Sequence, residues 1–224
     1  MIEIINLLKS YIIGSETIMA VDNVSLNISG GDFITIMGHS GSGKTTLLSL
    51  IGGLTKPEKG AVIIKGTELW SISDNDLSEL RNQNMGFIYQ FSSLIPTLNV
   101  LENVLLPTAF SKKKNNAQDY ALELLNIVGL GNRQTSYPSQ LSGGQQRRVA
   151  IARAFINKPQ ILLADEPTGD LDEETEAEIL ALFKKMNIEQ KITFICVTHS
   201  SEIAKKGNIQ YRMTSGVLTS IDKT

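Results

Sequence analysis

Cysteine and long apolar runs are scarce in this sequence. Cys196 is the single cysteine among 224 residues, so no disulfide can form within the chain, and its apolar neighbours predict a buried, inert thiol. No apolar run approaches the roughly 18 residues that a membrane-spanning helix needs. The first residues also lack the basic start of a signal peptide. We therefore expect a protein of a reducing compartment that reaches any membrane through a partner.

A strong charge of either sign is also missing. The formal net charge is -2 at pH 7, with 42% hydrophobic and 20% charged residues. This balance is typical of a globular protein and gives no reason to expect a nucleic-acid surface. The one basic cluster spans residues 112–114, and we interpret it as a solvated loop, with contact to anionic lipid headgroups as the alternative.

The length favours one α/β domain with an insertion, because 224 residues is long for one compact unit and short for two. Alternating apolar residues predict an antiparallel β layer in the first 30 residues. We predict a single domain over 1–224, with an α/β core at 1–90 and 158–224 and a helical subdomain at 91–157. The predicted helices cover 73–81, 100–105, 117–128 and 143–156, and the predicted later strands cover 61–64, 86–90, 161–164, 192–197, 209–213 and 217–221.

The most specific motif lies at residues 38–46, GHSGSGKTT. It fits the G-x-x-x-x-G-K-[ST] pattern of a phosphate-binding loop, and the apolar runs on both sides predict the strand and helix that this motif requires. Glycines let backbone N–H groups turn toward a polyphosphate, and the next helix directs its positive end to the same place. Lys44 is expected to reach the β- and γ-phosphates and Thr45 to ligate Mg²⁺. The predicted nucleotide-binding residues of the loop are Gly38, Ser40, Gly41, Ser42, Gly43, Lys44, Thr45 and Thr46.

A second motif is the apolar strand at 161–164, which is followed by Asp165 and Glu166. Carboxylates at the carboxyl end of a buried parallel strand lie where ligands bind. We interpret Asp165 as a Mg²⁺ ligand and Glu166 as the general base that orients or deprotonates an attacking water. The alternative is that the two carboxylates cap the helix that begins near Glu173.

A third motif, LSGGQ at residues 141–145, opens a predicted helix. Ser142 is a common N-cap residue, but Gly143 and Gly144 lower helix stability and expose N–H groups, which makes a second anion site. A single nucleotide already has a helix end on it at Gly43. We therefore expect the second anion site to close on a nucleotide held by another subunit.

Together these motifs resemble those of the ATP-binding cassette (ABC) transporter ATPases, and the resemblance covers essentially the whole chain. It identifies 38–45 as Walker A, 141–145 as the family signature and 161–166 as Walker B. It implies a P-loop NTPase (RecA-like) core with an antiparallel β subdomain and an inserted α-helical subdomain. It also implies ATP and Mg²⁺ as ligands and a homodimer that forms on ATP. The signature residues implied to contact ATP of the other copy are Ser142, Gly143, Gly144 and Gln145.

Three single residues and one loop gain a role only from this resemblance. Gln90 matches the Q-loop glutamine, which contacts Mg²⁺ and senses the membrane subunit, and His199 matches the histidine that contacts the γ-phosphate. Residues 168–172 match the D-loop at the dimer interface. Tyr11 resembles the aromatic residue that stacks on adenine, with a plain strand tyrosine as the alternative.

The segment at 86–107 resembles a branch with macrolide exporters, lipoprotein-release ATPases, antimicrobial-peptide resistance transporters and haem-efflux pumps. In that branch the ATPase moves a separate or fused permease, so the resemblance implies a cytoplasmic protein held on the inner face of the cell membrane. The apolar residues of 90–98 are predicted to contact the permease, with core packing as an equal alternative.

The chain departs from the commoner family residues at His39, Arg147, Gly169-Asp170 and Ser200. None of these removes a catalytic group, although Asp170 and Ser200 leave details of the dimer interface open. Two other functions also stay open. One is an ATP-gated regulatory scaffold, as in cell-division ATPases. The other is a soluble ABC protein acting on DNA or the ribosome, which requires coiled-coil insertions or two cassettes in one chain, and neither is present in the sequence.

Overall fold

The computed structural model describes residues 1–111, 117–169 and 171–221. Within these ranges the chain forms two β-sheets and seven α-helices. The strands are β1 (Ile2–Ile13), β2 (Glu16–Ile28), β3 (Phe33–Met37), β4 (Lys59–Ile64), β5 (Thr67–Glu68), β6 (Met85–Ile88), β7 (Ile161–Asp165), β8 (Thr193–Thr198), β9 (Ile209–Thr214) and β10 (Val217–Ser220). The helices are α1 (Lys44–Ile51), α2 (Asp74–Asn84), α3 (Val100–Leu105), α4 (Gln118–Ile127), α5 (Gly143–Phe155), α6 (Glu173–Gln190) and α7 (Ser201–Lys206). The basic cluster at 112–114 and Asp170 lie outside the described residues.

The first sheet is antiparallel, with the strand order β2-β1-β4-β5. The predicted β layer before the phosphate-binding loop is therefore present, and it is completed by the strands that follow α1. Ile2, Ile4 and Leu7 of β1 are buried in one hydrophobic cluster with β3 and α1, and the pairing of β1 with β2 shifts register between Ile4 and Leu7. This packing places β2 against the phosphate-binding loop.

The second sheet has the strand order β10-β9-β3-β8-β7-β6, and all its pairs are parallel except β9 with β10. β7 and β8 are buried along their whole length, as expected for parallel strands covered on both faces. Met37 pairs with Thr198, and Asp165 pairs with Val197, so the ends of β3, β8 and β7 are level and adjacent. The α/β fold class predicted from the sequence is confirmed.

Helices α3, α4 and α5 lie where helices were predicted, and they pack in a second hydrophobic cluster that continues into the sheet through Phe33, Leu162 and Phe194. Because this cluster is shared, the division into core and subdomain at residues 90 and 157 stays a prediction. Cys196 is buried on β8, where burial raises the pKa of its thiol, as expected for an inert cysteine. Among the described helices, none is long and apolar enough to cross a lipid bilayer.

The boundaries of the later strands agree with the prediction within two residues, and the end of β6 is a difference with an identifiable cause. β6 ends at Ile88, opposite Ala164, whereas the sequence pattern predicted a strand through Gln90. Tyr89 and Gln90 lie beyond the strand because both of their carbonyl groups accept hydrogen bonds from the side chain of Arg147 instead of continuing the ladder.

Candidate nucleotide-binding site

The phosphate-binding loop connects β3 to α1 and is pressed against β2. Gly43 has a φ of 103°, and a Cβ atom added there would lie 1.9 Å from the carbonyl oxygen of Ala20. Gly38 is also crowded, because a Cβ atom there would lie 2.5 Å from the carbonyl oxygen of Met213. Only glycine fits at Gly43, since both its backbone conformation and its neighbour exclude a side chain. The glycine spacing of the motif therefore has a steric cause in this fold.

The Lys44 side chain is buried and curls back over the loop. Its Nζ donates to the carbonyl oxygens of Gly38 at 2.8 Å and His39 at 3.0 Å. A phosphate oxygen is a stronger acceptor than these neutral carbonyls, because hydrogen bonds between two charged partners are shorter and stronger. The ammonium group is thus held where it can exchange the carbonyls for a polyphosphate.

Thr45 and Asp165 meet across the gap between α1 and β7. Thr45 Oγ1 donates to Asp165 Oδ2 at 2.8 Å. Burial raises the pKa of the Asp165 carboxyl group, and this is opposed by the Thr45 hydrogen bond and by the charges of Lys44 and Arg147. A hydroxyl and a carboxylate side by side are oxygen ligands of the kind Mg²⁺ accepts, with its other positions filled by water and phosphate. The residues present therefore fit a magnesium ion.

Glu166 follows in a left-handed backbone conformation, with a φ of 45°. Its N–H donates to the carbonyl oxygen of Val197 at 3.0 Å. Its Oε2 accepts from Thr198 Oγ1 at 2.9 Å, and its Oε1 lies 2.8 Å from His199 Nδ1. Holding a residue other than glycine in this backbone conformation costs about 1–3 kcal/mol of conformational free energy, and such residues are concentrated at functional sites.

The two carboxylates do not cap α6, so the alternative interpretation of Walker B is wrong. Asp172 is the N-cap of that helix, and its Oδ1 accepts from the Thr175 N–H at 2.9 Å. Hydrogen bonds from Thr175 lower the pKa of the Asp172 carboxyl group. Asp165 and Glu166 instead face a cleft at the carboxyl ends of β3, β7 and β8, which is where parallel sheets bind ligands.

This cleft has a volume of about 590 Å³ and gathers most of the predicted site. It also includes Ala20 and His39, which the sequence did not identify as site residues. The predicted residues that line it are Ser40, Gly41, Ser42, Gly43, Lys44, Thr45, Thr46, Gln90, Asp165, Glu166 and His199.

Tyr11 is not among the described residues that line the cleft. It lies on β1 with 42% of its surface exposed, and Lys9 Nζ stands 5.5 Å from its ring centroid. Its strand partner is Ile18, two residues before Ala20 on β2. The neighbouring strand reaches the phosphate-binding loop at Ala20, and stacking of Tyr11 on adenine stays a prediction.

The signature residues also lie outside this cleft, as far as the described lining shows. Ser142 caps α5, with its Oγ accepting from the Gln145 N–H at 3.2 Å and its own N–H donating to Gln145 Oε1 at 3.0 Å. The Gln145 side chain is therefore used in the cap. At Gly143, an added Cβ atom would meet nothing within 4 Å, so no packing among the described residues explains this glycine.

A family model described as ABC transporter matches residues 21–169 of this chain. The chain belongs to the ABC transporter family. The cassette is 42% identical over 221 residues to the macrolide export ATP-binding/permease protein MacB of Rhodopirellula baltica, covering 97% of this chain but 32% of MacB. It is 42% identical over 227 residues to the ABC transporter ATP-binding protein YtrE of Bacillus subtilis, covering 97% of this chain and 96% of YtrE. The chain thus spans about a third of one relative and nearly all of the other.

Solved structures agree with this assignment. The dimeric structure of the ABC transporter cassette MJ0796 has a TM-score of 0.93 with 41% identity, and each chain is covered completely. A dimeric post-hydrolysis state of MJ0796 bound to ADP and Pi has a TM-score of 0.92 with 40% identity, again over the full length of both. The predicted family, fold and ATPase activity of the cassette are confirmed.

Sequence reasoning missed two side chains that shape the site of this ABC cassette. Thr198 is fully buried and holds Glu166, and the only signal for it was a hydroxyl at the end of an apolar strand. Arg147 was noted as a departure from the family pattern, yet its buried guanidinium donates to the carbonyl oxygens of Tyr89 and Gln90. No local pattern relates residue 147 to residue 90.

Proposed function

We propose that this cassette is the ATP-hydrolysing subunit of an export or mechanotransmission complex, in which two copies close on ATP and move a membrane permease. The observation that carries the proposal is the separation of the motifs over two surfaces. The cleft gathers Walker A, Walker B, Gln90 and His199, while Ser142 and Gly143 are exposed elsewhere on the same chain. A second copy is needed to bring the two surfaces together.

In the proposed mechanism the phosphate-binding loop and Lys44 hold the polyphosphate of ATP. Thr45, Asp165 and Gln90 would hold Mg²⁺, and Thr45 Oγ1 and Asp165 Oδ2 lie 2.8 Å apart. The ion would supply positive charge that neutralises charge on the phosphates. Catalysis then depends on positioning and electrostatic stabilisation more than on covalent chemistry by the protein.

Glu166 orients the attacking water in this mechanism. Its carboxylate is fixed on one side by the Thr198 hydroxyl, so the other oxygen points toward the cleft and His199. The His199 imidazole is largely exposed, with a side chain 75% accessible, and is available to contact the γ-phosphate. Closure of the cleft by the second copy excludes bulk water and strengthens these interactions.

The second copy contributes Ser142, Gly143 and Gly144 in a head-to-tail pair with two-fold symmetry. The start of α5 carries exposed N–H groups and the positive end of the helix, which favour an anion such as the γ-phosphate. The dimeric structures of MJ0796, at 40% and 41% identity over full length, support this arrangement. Hydrolysis removes the shared γ-phosphate, so the pair opens.

The permease is proposed to dock in a groove between β6 and α5 with a volume of about 540 Å³. Tyr89, Ser93 and Ile95 line it, and Phe91 beside it is 76% exposed. Leu94 instead packs against the core cluster. In the predicted contact segment at 90–98, some residues therefore line the groove and others pack in the core. An exposed apolar groove suits a helix of the permease, which would hold the cassette on the cytoplasmic face of the membrane.

The names of the relatives support the exporter branch. MacB is named as a macrolide export ATP-binding/permease protein, and YtrE as an ABC transporter ATP-binding protein. We propose a cargo of the macrolide, lipoprotein, antimicrobial-peptide or haem class, with specificity carried by the permease.

The proposed chemistry is tested by Glu166→Gln, which keeps the shape of the side chain and removes its basicity. We expect ATP binding to persist, phosphate release to fall at least about a hundredfold, and a stable dimer to appear on addition of ATP, measured by light scattering. Glu178→Gln is the matched control, because Glu178 is exposed on α6. Phosphate release at the wild-type rate by Glu166→Gln would refute the assignment of the general base.

The proposed partner is tested by co-purification from membranes of the source organism. We expect a polytopic membrane protein to be recovered with the wild type and lost with Ile95→Glu, which puts a charge in the groove. Ile127→Glu is the control, because Ile127 is also about half exposed, at 45%, but lies on α4. Recovery of DNA or ribosomes, or equal recovery of the membrane protein by both variants, would contradict the proposal.

A further inference from the structure

Arg147 lies where three motifs meet. It is 4% exposed and sits on α5, one helical turn after the signature glycines. Its Nη1 donates to the carbonyl oxygen of Tyr89, and its Nη2 donates to that of Gln90. A Cβ atom added at Gly169, just after Walker B, would lie 3.9 Å from the same Nη2. One guanidinium group therefore contacts the segment that carries Gln90 and lies close to the residues that follow Glu166.

The geometry of these two hydrogen bonds is restrictive. Successive carbonyl groups of an extended strand point in opposite directions, so the Tyr89 and Gln90 carbonyls reach one guanidinium group only because the chain turns after Ile88. The planar guanidinium fork binds two acceptors at a fixed angle, which a lysine ammonium does not. Burying a charged guanidinium group costs free energy unless the group is paired, and removing its partners destabilises the folded protein. The backbone that carries the Gln90 side chain is thereby held in one orientation.

The same helix holds the rest of this segment. Arg153 Nη2 donates to the carbonyl oxygen of Ser92 and Arg153 Nη1 donates to that of Ser93, both at 2.8 Å. Four residues separate Gly143 from Arg147, which corresponds to roughly 6 Å along the helix axis. Hydrogen bonds from the helix that begins at the signature therefore hold the backbone on both sides of Phe91.

We propose that Arg147 is a positioning residue that couples the two ATP sites: it ties the backbone of Gln90 to the helix whose first turn receives the partner's nucleotide. Seating of that nucleotide on Gly143 then sets the position of Gln90 in the cleft of the same chain. The inference rests on the proposed roles of Gln90 and of the dimer.

The test compares Arg147→Gln, Arg147→Lys and the matched control Arg148→Gln by steady-state ATP hydrolysis and thermal unfolding. Arg148 is the next residue on α5, and its Nη1 donates to the Val128 carbonyl oxygen at 3.4 Å, away from Gln90. We expect Arg147→Gln to lower kcat roughly ten- to a hundredfold with less than about a threefold change in KM for ATP, because misplacement by about 1 Å has an effect of this size. Arg147→Lys should lie between this variant and the wild type. Arg148→Gln should stay within about twofold of the wild type in both parameters.

A double-mutant cycle with Gln90→Ala separates positioning from general damage. If Arg147 acts through Gln90, adding Arg147→Gln to Gln90→Ala lowers kcat by less than about twofold further, because the two losses are not additive. Fully additive losses, or an equal loss of kcat in Arg148→Gln, would overturn this inference and leave the proposed function in place. Wild-type kcat in Gln90→Ala would instead remove the proposed role of Gln90, and this inference with it.

Discussion

The buried Thr198 hydroxyl donates to Oε2 of Glu166 at 2.9 Å and fixes one side of the proposed general base. The Thr198 Oγ1 atom also accepts a hydrogen bond from the Ser200 N–H at 3.0 Å, so the hydroxyl acts both as a donor and as an acceptor. His199, on the other carboxylate oxygen, has a side chain that is 75% exposed. The buried Thr198 hydroxyl is therefore the fixed partner of the Glu166 carboxylate. The exposed His199 imidazole is placed to leave this carboxylate and contact a ligand.

Thr198→Val tests this relationship, because valine keeps the shape of the side chain and removes the hydroxyl. We expect kcat for ATP hydrolysis to fall roughly tenfold or more, since the carboxylate loses its fixed orientation. The free energy of unfolding should fall by about 1–3 kcal/mol, because the Ser200 N–H and the Glu166 carboxylate lose a partner. Phosphate release and urea denaturation measure the two effects.

Thr35→Val is the matched control for this variant. Thr35 is also fully buried, its Oγ1 donates to the Ala204 carbonyl oxygen at 2.9 Å, and it is not among the described residues that line the cleft. We expect a similar loss of stability with kcat near that of the wild type. Equal losses of kcat in the two variants would show that Thr198 acts only through stability.

Gly43→Ala is expected to disrupt the phosphate-binding loop. The φ of 103° disfavours alanine, and its methyl group would lie 1.9 Å from the Ala20 carbonyl oxygen. A left-handed conformation costs about 1–2 kcal/mol and overpacking about 1–3 kcal/mol, so we expect a loss of about 2–5 kcal/mol in the free energy of unfolding. Binding of a fluorescent ATP analogue should fall below detection.

Gly14→Ala separates the two causes of that loss. Gly14 also has a positive φ, 64°, but a Cβ atom there meets nothing within 4 Å. This variant should lose only the conformational contribution, about 1–2 kcal/mol, and bind the analogue normally. If Gly43→Ala bound the analogue as well as Gly14→Ala, contact with β2 would not shape the loop.

The parts of the fold that depend on local pattern were predictable. The phosphate-binding loop, the strand before Asp165 and the cap at Ser142 each follow from spacing and side-chain chemistry within about ten residues. Because the strands of the sheet are parallel, the ends of β3, β7 and β8 meet at one edge, and this places the motifs together. Helix ends agreed within about three residues, as expected where caps mark them.

The parts that depend on contacts between distant segments were not predictable. The end of β6 is set by Arg147, which is 57 and 58 residues away along the chain from the carbonyls it binds. Glu166 is oriented by Thr198, 32 residues away. Tertiary contacts of this kind override local preference, and no sequence periodicity records them.

Asn103 organises the turn beside the proposed permease groove through contacts that are local in the sequence. Its Nδ2 donates to the carbonyl oxygens of Ile95, Leu98 and Asn99 at 2.9–3.1 Å, and its Oδ1 accepts from the Ile95 N–H at 2.8 Å. Asn103→Leu keeps the branched shape of the side chain and removes all four bonds. We expect a loss of about 2–4 kcal/mol in the free energy of unfolding and faster exchange of the Ile95 amide proton.

Asn132→Leu is the control for that variant, because Asn132 is exposed and its substitution should change stability by less than about 0.5 kcal/mol. Urea denaturation and hydrogen exchange followed by mass spectrometry measure the two effects. Unchanged protection of the Ile95 amide in Asn103→Leu would show that the turn is held by other contacts.

Gly143→Ala distinguishes a contact within the chain from a contact with a second copy. In the part of the chain that the structure describes, the added methyl group meets no atom within 4 Å apart from its chain neighbours and the backbone of its own helix. The free energy of unfolding should therefore be unchanged or up to about 1 kcal/mol higher, because alanine favours helix. In the Glu166→Gln background, however, the methyl group would occupy the surface on which the partner's ATP must close. We expect the dissociation constant of the ATP-dependent dimer to rise at least roughly tenfold, equivalent to about 1.4 kcal/mol.

Sedimentation velocity over a range of protein concentrations measures this change, and Gly30→Ala in the same background is the control. Gly30 does not have a positive φ, and a Cβ atom there would lie 3.5 Å from Met1 Sδ, an ordinary contact. Its dimer should therefore form as in Glu166→Gln alone. If Gly143→Ala dimerised as tightly as Gly30→Ala, the first turn of α5 would not be in contact with the partner's nucleotide, and the ATP sites would not be shared between two copies.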